Sequence, residues 1–420
     1  LQPMPENILE TSLTWTDLER NIKTALKTDA KFGESKSVID IGDGNGLTSR
    51  CGLIYCDWIG ADVSEILPSR VVIKIPSAIP LRQLNESLPQ GQRMFTGGEE
   101  IWQVMEGKMR EIHRIEVLTY EFFDGFNGLT VPTKYYGTTF EKEGETEGQI
   151  CLKFMENSRM MNFHEKHTVE QVRQVARALG KIQACSLKKV PAAPEFHRNF
   201  FEEFAKTVTL EGYCGMYKAL AVLDRSQKTI ELSAKINKLL PEYYGSSLPT
   251  TIHSQMGFRR VLVNGDLRTE NVLIDVDTED LAALIDWQVT HLGVGVEDLI
   301  RISLYALTAE DRRRSVSMLV AEMYDSLVEN LDGAEPPYTL ETLLVLYDLL
   351  FPHCAFYFAG PCIMTIMNKA NDPKLSAEDK EKRREVEIAK LLGALEDALE
   401  YDAKNKESKL ARRGEIITAP

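Results

Sequence analysis

The sequence predicts an α+β fold, a β-rich N-terminal lobe joined at about residue 156 to a mostly α-helical C-terminal lobe. Three observations carry this reading. Short strand-like apolar runs crowd positions 37–75, and amphipathic helical patterns fill most of the chain after 168. The chain has 420 residues, 43% of them hydrophobic and 27% charged, the composition of an ordinary globular protein with room for more than one domain. The expected domains are 1–155 and 156–420.

Taken in order, the first 30 residues read as a helical lead-in, with Leu18, Ile22, Ala25 and Leu26 at helical spacing. The period changes at Ser37, where Val38, Ile39 and Ile41 begin strand-like runs that continue through 52–55 and 70–75. A long helix follows at 99–123, with Ile101, Met105, Met109, Ile112, Tyr120 and Phe123 on one stripe. Strands at 129–136 and 149–155 flank a turn rich in glutamate and glycine at 141–148. Thr168 with Gln171 three residues later is a capping-box pattern, and Val169, Val172, Val175, Leu179 and Ile182 form one apolar face. A single β-hairpin, 272–276 and 281–285 around the polar turn 277–280, interrupts the helical remainder. The apolar stretch 343–367 is read as a buried pair of helices rather than a membrane span, because Asp348, Pro352, His353 and Pro361 interrupt it. The last segment, 376–406, is a charged helix with Ile388, Leu391, Leu395 and Leu399 as its buried edge.

Lysine and arginine total 49 against 63 aspartates and glutamates, a formal charge of −14. Such a surface repels phosphate backbones and anionic lipids, so neither nucleic acid nor a membrane is expected as a partner. The short basic runs at 312–314 and 380–384 read as solvated helix faces. Seven cysteines without any C-x-x-C spacing point to reduced, packed thiols rather than a disulfide frame or zinc site. With no cationic-then-apolar signal segment opening the sequence as given, a cytoplasmic location is expected. His164 and His167, three apart, read as exposed loop residues, and no G-x-S-x-G signals a serine hydrolase.

The chemistry concentrates around the hairpin. Asn271 enters its first strand and Asp286 leaves its second, so antiparallel pairing makes them neighbours. Asp266, five residues before Asn271, can curl over the same point. Two oxygen donors and a nearby carboxylate are what magnesium-assisted phosphoryl transfer requires: hard ligands for the ion and a base for the attacking hydroxyl.

These residues also carry a family resemblance. Asp266-x-x-x-x-Asn271 followed by Ile285-Asp286-Trp287-Gln288 is similar to the catalytic loop and metal-binding aspartate of eukaryotic-like kinases, in the small-molecule branch with choline kinases, aminoglycoside phosphotransferases and ecdysteroid kinases. The chain most resembles the CHK kinase-like family as found in nematodes. That family's other blocks appear in order as Ile41-Gly42-Asp43-Gly44-Asn45-Gly46, Ile73-Lys74-Ile75-Pro76 and Glu297-Asp298-Leu299-Ile300-Arg301, so the resemblance covers about residues 30–310. It implies a two-lobed protein-kinase-like fold.

The residues support each block independently. Gly42, Gly44 and Gly46 lie between strand candidates, where backbone N–H groups can approach phosphate oxygens. Lys74 sits inside an apolar strand and needs an anionic partner. On the helix 99–123, Glu116 stands four residues from both Ile112 and Tyr120 on the buried stripe, whereas Glu121 falls on the opposite side. Glu116 also matches the family's glutamate four before a tyrosine, and is assigned as the Lys74 partner that fixes the α- and β-phosphates. The resemblance further implies Asp266 as the catalytic base, Asn271 and Asp286 as the Mg2+ ligands, and the segment 152–157, including Glu156 and Asn157, as a nucleotide-binding hinge. Asp298 and Arg301 brace the catalytic loop.

One position departs from the pattern: the usual His-Gly-Asp is Asn264-Gly265-Asp266. Asparagine offers a donor and an acceptor on a shorter arm. The expected function is an ATP- and magnesium-dependent kinase that phosphorylates an alcohol; the alternative is a degenerate kinase-like protein that binds nucleotide or a partner without turnover. Only 12 positions separate Asp286 from Asp298, too few for a peptide-docking activation segment, so a small alcohol is expected. Gln288 disfavours a cationic acceptor such as choline. The aromatic stretch Tyr347, Phe351, Phe356, Tyr357 and Phe358 reads first as core, with a lining for a sterol-like alcohol as the second reading.

Overall fold

The structure, a computed structural model, describes residues 7–42, 46–87, 95, 97–140, 148–198, 209–370 and 375–408. The chain divides into two compact units, Leu1–Glu156 and Asn157–Pro420.

The first unit runs α1 (Trp15–Leu26), β1 (Lys31–Phe32), β2 (Ser37–Asp40), β3 (Ser49–Tyr55), β4 (Trp58–Ile59), β5 (Arg70–Pro76), α2 (Ile79–Ser87), α3 (Glu99–Phe123), β6 (Lys134–Thr138) and β7 (Gln149–Lys153). Among the described residues its main sheet has the order β2-β3-β5-β7-β6, with every pairing antiparallel. Period-two alternation gives β5 two different faces. Val71, Ile73 and Ile75 enter a core with Leu18 and Ile22 of α1, whereas Lys74 projects from the other face. The helix at 99–123 forms with the expected bounds. The strand expected at 129–136 instead begins at Lys134, because Pro132 has no N–H to pair. The turn expected at 141–148 falls, up to residue 147, outside the described residues.

The second unit runs β8 (Ser158–Met160), α4 (Val169–Lys188), α5 (Leu210–Leu223), α6 (Gln227–Tyr243), α7 (Leu248–Met256), β9 (Val261–Val263), β10 (Val272–Asp275), β11 (Leu281–Leu284), β12 (His291–Gly293), α8 (Val296–Ala306), α9 (Ala309–Glu329), α10 (Leu340–Ala370) and α11 (Ala377–Glu407). The Thr168–Gln171 capping box is formed in both directions at the start of α4. The hairpin forms as β10–β11, and it is not the lone exception to helix. β8 adds to it as a third strand, and β9 pairs with β12. Strands of three residues are too short to show a period, which is why the sequence pattern missed them.

The stretch 343–367 is corrected as well: it lies in one continuous helix, α10, with Pro352 and Pro361 inside it. Each proline removes a helical N–H, and neighbours supply donors to nearby carbonyls. The Asp348 carbonyl, four before Pro352, accepts from Asn405 Nδ2 at 2.8 Å, and the Phe356 carbonyl accepts from the hydroxyls of Tyr213 and Tyr217. By length and composition α10 could cross a membrane, but 78% of its most apolar window is buried inside the protein. Tyr347, Phe351, Phe356 and Phe358 are all core residues that pack against neighbouring rings, as the first reading of this stretch expected.

Two further expectations change. In the basic run at 312–314, Arg312 is buried, and it pairs with the buried Asp397 of α11, which Arg313 also contacts. His167 is buried too, its Nε2–H donating to the Asn162 carbonyl at 2.8 Å, and His164 is half-buried. On α11 the buried edge includes Leu391, Ala394, Leu395 and Ala398, while Ile388 and Leu399 are half-buried. All seven cysteines are free thiols, and five of them are buried.

Close helix packing behind β9 depends on Gly180 in α4. A Cβ there would lie 2.3 Å from the Met323 carbonyl oxygen and 2.8 Å from the Leu327 nitrogen of α9, backbone atoms that cannot swing aside. Gly180→Ala is therefore expected to lower stability by about 2 kcal/mol, the overpacking cost outweighing alanine's better helix propensity. Urea unfolding should show this as a lower midpoint at unchanged slope.

Candidate functional site

In the second unit the site is built from β9 outward. Val261, Leu262 and Val263 are fully buried, and Leu262 N–H donates to Ser186 Oγ of α4 at 3.0 Å, so the strand is fixed before the polar residues begin. Asn264 follows, with 0% exposure. Gly265 then adopts φ +83°, a left-handed conformation, where a Cβ would meet the Val289 carbonyl oxygen at 2.8 Å. This turn brings Asp266 round, and a 3-10 turn at Thr269–Asn271 leads into β10.

The expected neighbours are brought together. Ile285 N–H donates to the Asn271 carbonyl at 3.0 Å, which sets Asn271 against the residue before Asp286. Asn271 Nδ2 donates to the Asp266 carbonyl at 2.8 Å. Asn264, at the departure from the usual motif, uses both ends of its amide: Oδ1 accepts from Asp266 N–H and Nδ2 donates to the Asp286 carbonyl, each at 3.0 Å. One buried side chain thus ties the backbones of Asp266 and Asp286 together. Asp286 itself has φ +62°, a conformation that a non-glycine residue holds only under tertiary constraint.

A second brace comes from α8. The Asp298 carboxylate accepts from Asn264 N–H at 2.6 Å and Gly265 N–H at 2.9 Å. Burial pushes its pKa up to about 6, against the pull of those two amides and of Arg301. Behind it, His291 of β12 lies 3.5 Å from Glu297, and Glu297 accepts from Val294 N–H at 2.7 Å. Burial opposes a charge on His291; the Glu297 carboxylate overcomes this and raises the imidazole pKa. Burial likewise raises the Asp266 carboxyl, with Arg268 pulling it down and Asp286 pushing it further up. Sequence reading missed His291 and Arg268. Arg268 stood inside the catalytic motif, while His291 had no signal because its strand was invisible.

Magnesium fits the donor set. Asn271 directs its Nδ2 to the Asp266 carbonyl, which leaves Oδ1 as its oxygen donor, and Asp286 supplies a carboxylate that Gln288 Nε2 steadies at 3.3 Å. Hard oxygens suit a hard cation. Among the described residues no cluster of three or more His, Cys, Asp or Glu forms a metal cage, and an ion shared between one or two protein oxygens and substrate phosphates needs none.

In the first unit, Lys74 Nζ and Glu116 Oε2 lie 2.7 Å apart with both side chains buried, while Glu121 is exposed. Gly42 N–H donates to Asp40 Oδ1 at 2.9 Å, and Gly46 N–H donates to the Gly42 carbonyl at 3.2 Å. Gly44 lies outside the described residues. In the segment 152–157, the Glu156 carboxylate pairs with Arg70, whose guanidinium stacks 4.6 Å from the Phe154 ring. Asn157, in the second unit, has φ +53°; its Nδ2 donates to Asp275 and Asp277, and its carbonyl accepts from Val276 N–H.

Comparison with known proteins finds a family model, DUF1679, described as "Uncharacterized oxidoreductase dhs-27", that matches residues 4–406. The chain is 22% identical over 296 residues to "Uncharacterized kinase-like protein D1044.1" of Caenorhabditis elegans, covering 69% of this chain and 76% of the relative. It is also 22% identical over 339 residues to "Uncharacterized oxidoreductase dhs-27" of the same organism, covering 75% of this chain but only 40% of that longer protein. Among solved structures, a choline kinase from Cryptosporidium parvum Iowa II aligns at 12% identity and TM-score 0.46, covering 94% of this chain and 97% of the other. A microcompartment-associated aminopropanol kinase aligns at 12% identity and TM-score 0.45, covering 95% and 99%. The chain belongs to the DUF1679 family and is a CHK kinase-like protein with an α+β, protein-kinase-like fold.

Proposed function

We propose that the protein is an ATP- and magnesium-dependent kinase that transfers the γ-phosphoryl group to the hydroxyl of a small alcohol. The observation that carries this reading is the pair of Asn264 hydrogen bonds, which join the backbone of the base Asp266 to that of the metal ligand Asp286. Asp266 would accept the hydroxyl proton as the alcohol oxygen attacks phosphorus. Asn271 and Asp286 would hold magnesium, which supplies charge neutralisation at the phosphate oxygens. Lys74, held by Glu116, would bind the α- and β-phosphates, with Gly42 and Gly46 letting backbone N–H groups come close. Since the Asn157 carbonyl already accepts from β10's hairpin, backbone groups of 154–156 are the better candidates for the adenine edge.

The acceptor is proposed as a small alcohol without the sterol restriction, because four of the five aromatic residues that suggested a sterol lining are buried against rings of neighbouring elements. The family's description carries the word oxidoreductase, and a dinucleotide-dependent one is a poorer match to this chain. Dinucleotide binding by the doubly-wound route uses a parallel sheet and G-x-G-x-x-G, whereas every described strand pairing here is antiparallel and Leu47 stands where the third glycine would be.

Purified protein incubated with ATP, magnesium and a pool of small alcohols is expected to release ADP. Asp266→Asn and Asp286→Ala should each cut that release by about 10³-fold or more, since base and metal positioning act as a unit. Release at wild-type rate from either variant would sink the proposal.

The Asp298 brace adds a pH signature. Protonation of this carboxyl through about pH 6 removes acceptor capacity for the Asn264 and Gly265 amides, so turnover should fall on the acid side with a midpoint near 6. The sign for stability is opposite. A folded-state pKa raised above the ordinary aspartate value makes the ionised form a cost to folding that builds between about pH 4 and 6, so acid relieves that cost. Activity lost near pH 6 while the Tm contribution of Asp298, measured against Asp298→Asn, does not fall is the expected pattern; an acid limb unchanged in Asp298→Asn would refute the assignment.

A further inference from the structure

His291 is a buried titratable group behind the site that the proposed reaction leaves without a role. It lies on β12 opposite Val263 of β9, the residue before Asn264, and keeps only 1% of its surface. Both ring nitrogens face acceptors. Nδ1 lies 3.0 Å from the Val289 carbonyl oxygen, and Nε2 lies 3.5 Å from Glu297 Oε2 of α8, an ion-pair distance. The ring also packs on the Asp266 loop, for a Cβ on Gly265 would stand 3.0 Å from both Cε1 and Nδ1. Gly293 leaves room for the pair from another side, since a Cβ there would lie 2.6 Å from Glu297 Oε1 and 3.1 Å from His291 Nε2. Of the other charged and titratable groups around it, α8 adds Asp298 and Arg301. From α10 come His353, which burial pulls down to about 4, and Cys354, which burial pushes up to about 12. At the far end of β12, Arg260 donates to the Leu292 carbonyl at 3.4 Å and to Nδ1 of His197, in the 3-10 turn Pro194–His197, at 2.9 Å. β9 itself brings only Val261, Leu262 and Val263.

A neutral imidazole has one N–H and one lone pair. With the N–H on Nδ1 it satisfies the Val289 carbonyl and turns the lone pair on the Glu297 carboxylate; with the N–H on Nε2 it turns the lone pair on the Val289 carbonyl. Only the imidazolium meets both acceptors, and at a position nearly closed to water a mismatch leaves a buried polar group without its partner. Burial opposes the charge, and Glu297 more than offsets it. What the ring touches are the two flanks of the proposed site: Val289 stands three residues after Asp286, and Gly265 stands one before Asp266. Resting on the kinase reading above, we propose that His291 is a positioning residue whose imidazolium, tied to Val289 and Glu297 and packed on Gly265, keeps Asp266 and Asp286 in register, so that turnover requires this ring to be protonated. Deprotonation strands one of the two acceptors and loosens the ring against Gly265. No proton passes between His291 and the substrate.

The test follows kcat against pH, well below the Tm, for wild type, His291→Gln and Glu297→Gln, with ATP, magnesium and an alcohol from the pool that wild type phosphorylates. The His291 ring is titrated by NMR in wild type and Glu297→Gln. Wild-type kcat is expected to fall on the alkaline side with the same midpoint as the ring, above the ordinary histidine value. Glu297→Gln should move both midpoints down together, because burial then acts with less opposition. His291→Gln should lose the alkaline limb and run at about one-tenth of the wild-type plateau or less, with ATP affinity within about twofold. The linked stability has the same sign: a folded-state pKa raised above the unfolded one gives a stabilisation that is complete below the unfolded value and is lost as pH rises through the folded one. A wild type that turns over without an alkaline limb overturns the proposal, and so does a limb that survives in His291→Gln. A kcat midpoint that stays in place while the ring's moves in Glu297→Gln overturns it as well, and this comparison decides even where His291→Gln does not fold. Wild-type protein that turns over at no pH fails at the kinase reading itself and takes this proposal with it.

Discussion

The Asn264 side chain is the link on which the rest of the second unit's site depends. It is fully buried, so each end of its amide must find a protein partner or leave a polar group stranded, at a cost of about 1–3 kcal/mol. The partners it finds are the Asp266 amide and the Asp286 carbonyl, two groups separated by twenty residues of chain. Satisfying one buried side chain and aligning the proposed base with the proposed metal ligand are therefore the same act. The Asp298 carboxylate performs a complementary one from α8, taking the amides of Asn264 and Gly265, so that the loop's backbone is held on both flanks before any substrate arrives.

This explains how the loop tolerates asparagine where the kinase motif it resembles has histidine. What the position requires is a donor and an acceptor directed at two backbone groups, and a primary amide provides both without the tautomer choice of an imidazole. Strain elsewhere is held by the same bonds. Asp286 sits at positive φ and Gly265 in a left-handed turn closed over the Val289 carbonyl, geometries that persist only where the surroundings over-determine them. The buried Lys74–Glu116 pair in the first unit follows a different logic. Its desolvation makes it a weak source of stability, and its value lies in fixing an ammonium at one point of the sheet.

Much of this was legible in the sequence, for identifiable reasons. Helix α3 and the face that Glu116 occupies followed from a 25-residue apolar stripe, long enough for the 3.6-residue period to be unambiguous. The juxtaposition of Asn271 and Asp286 followed from the geometry of an antiparallel hairpin. The three-residue strands β8, β9 and β12 were not legible, and with them His291 and the clamp of Glu297 stayed hidden. Buried charges were misjudged for a related reason. Arg312 read as part of a solvated helix face, and only the packing of α9 against α11 gives it Asp397 as a partner. The prolines of α10 suggested a break that tertiary donors such as Asn405 remove the need for.

The most direct measurement of this account is the magnesium-dependent ATP turnover of Asn264→Leu beside Asn264→His, with nucleotide affinity measured on the same preparations. Leucine matches the size of asparagine and removes both hydrogen-bonding ends, whereas histidine restores a donor and an acceptor. The account predicts that the leucine variant loses turnover by about 10²-fold or more while still binding nucleotide, and that the histidine variant keeps most of it. Full turnover in Asn264→Leu would contradict the claim that this side chain aligns Asp266 with Asp286.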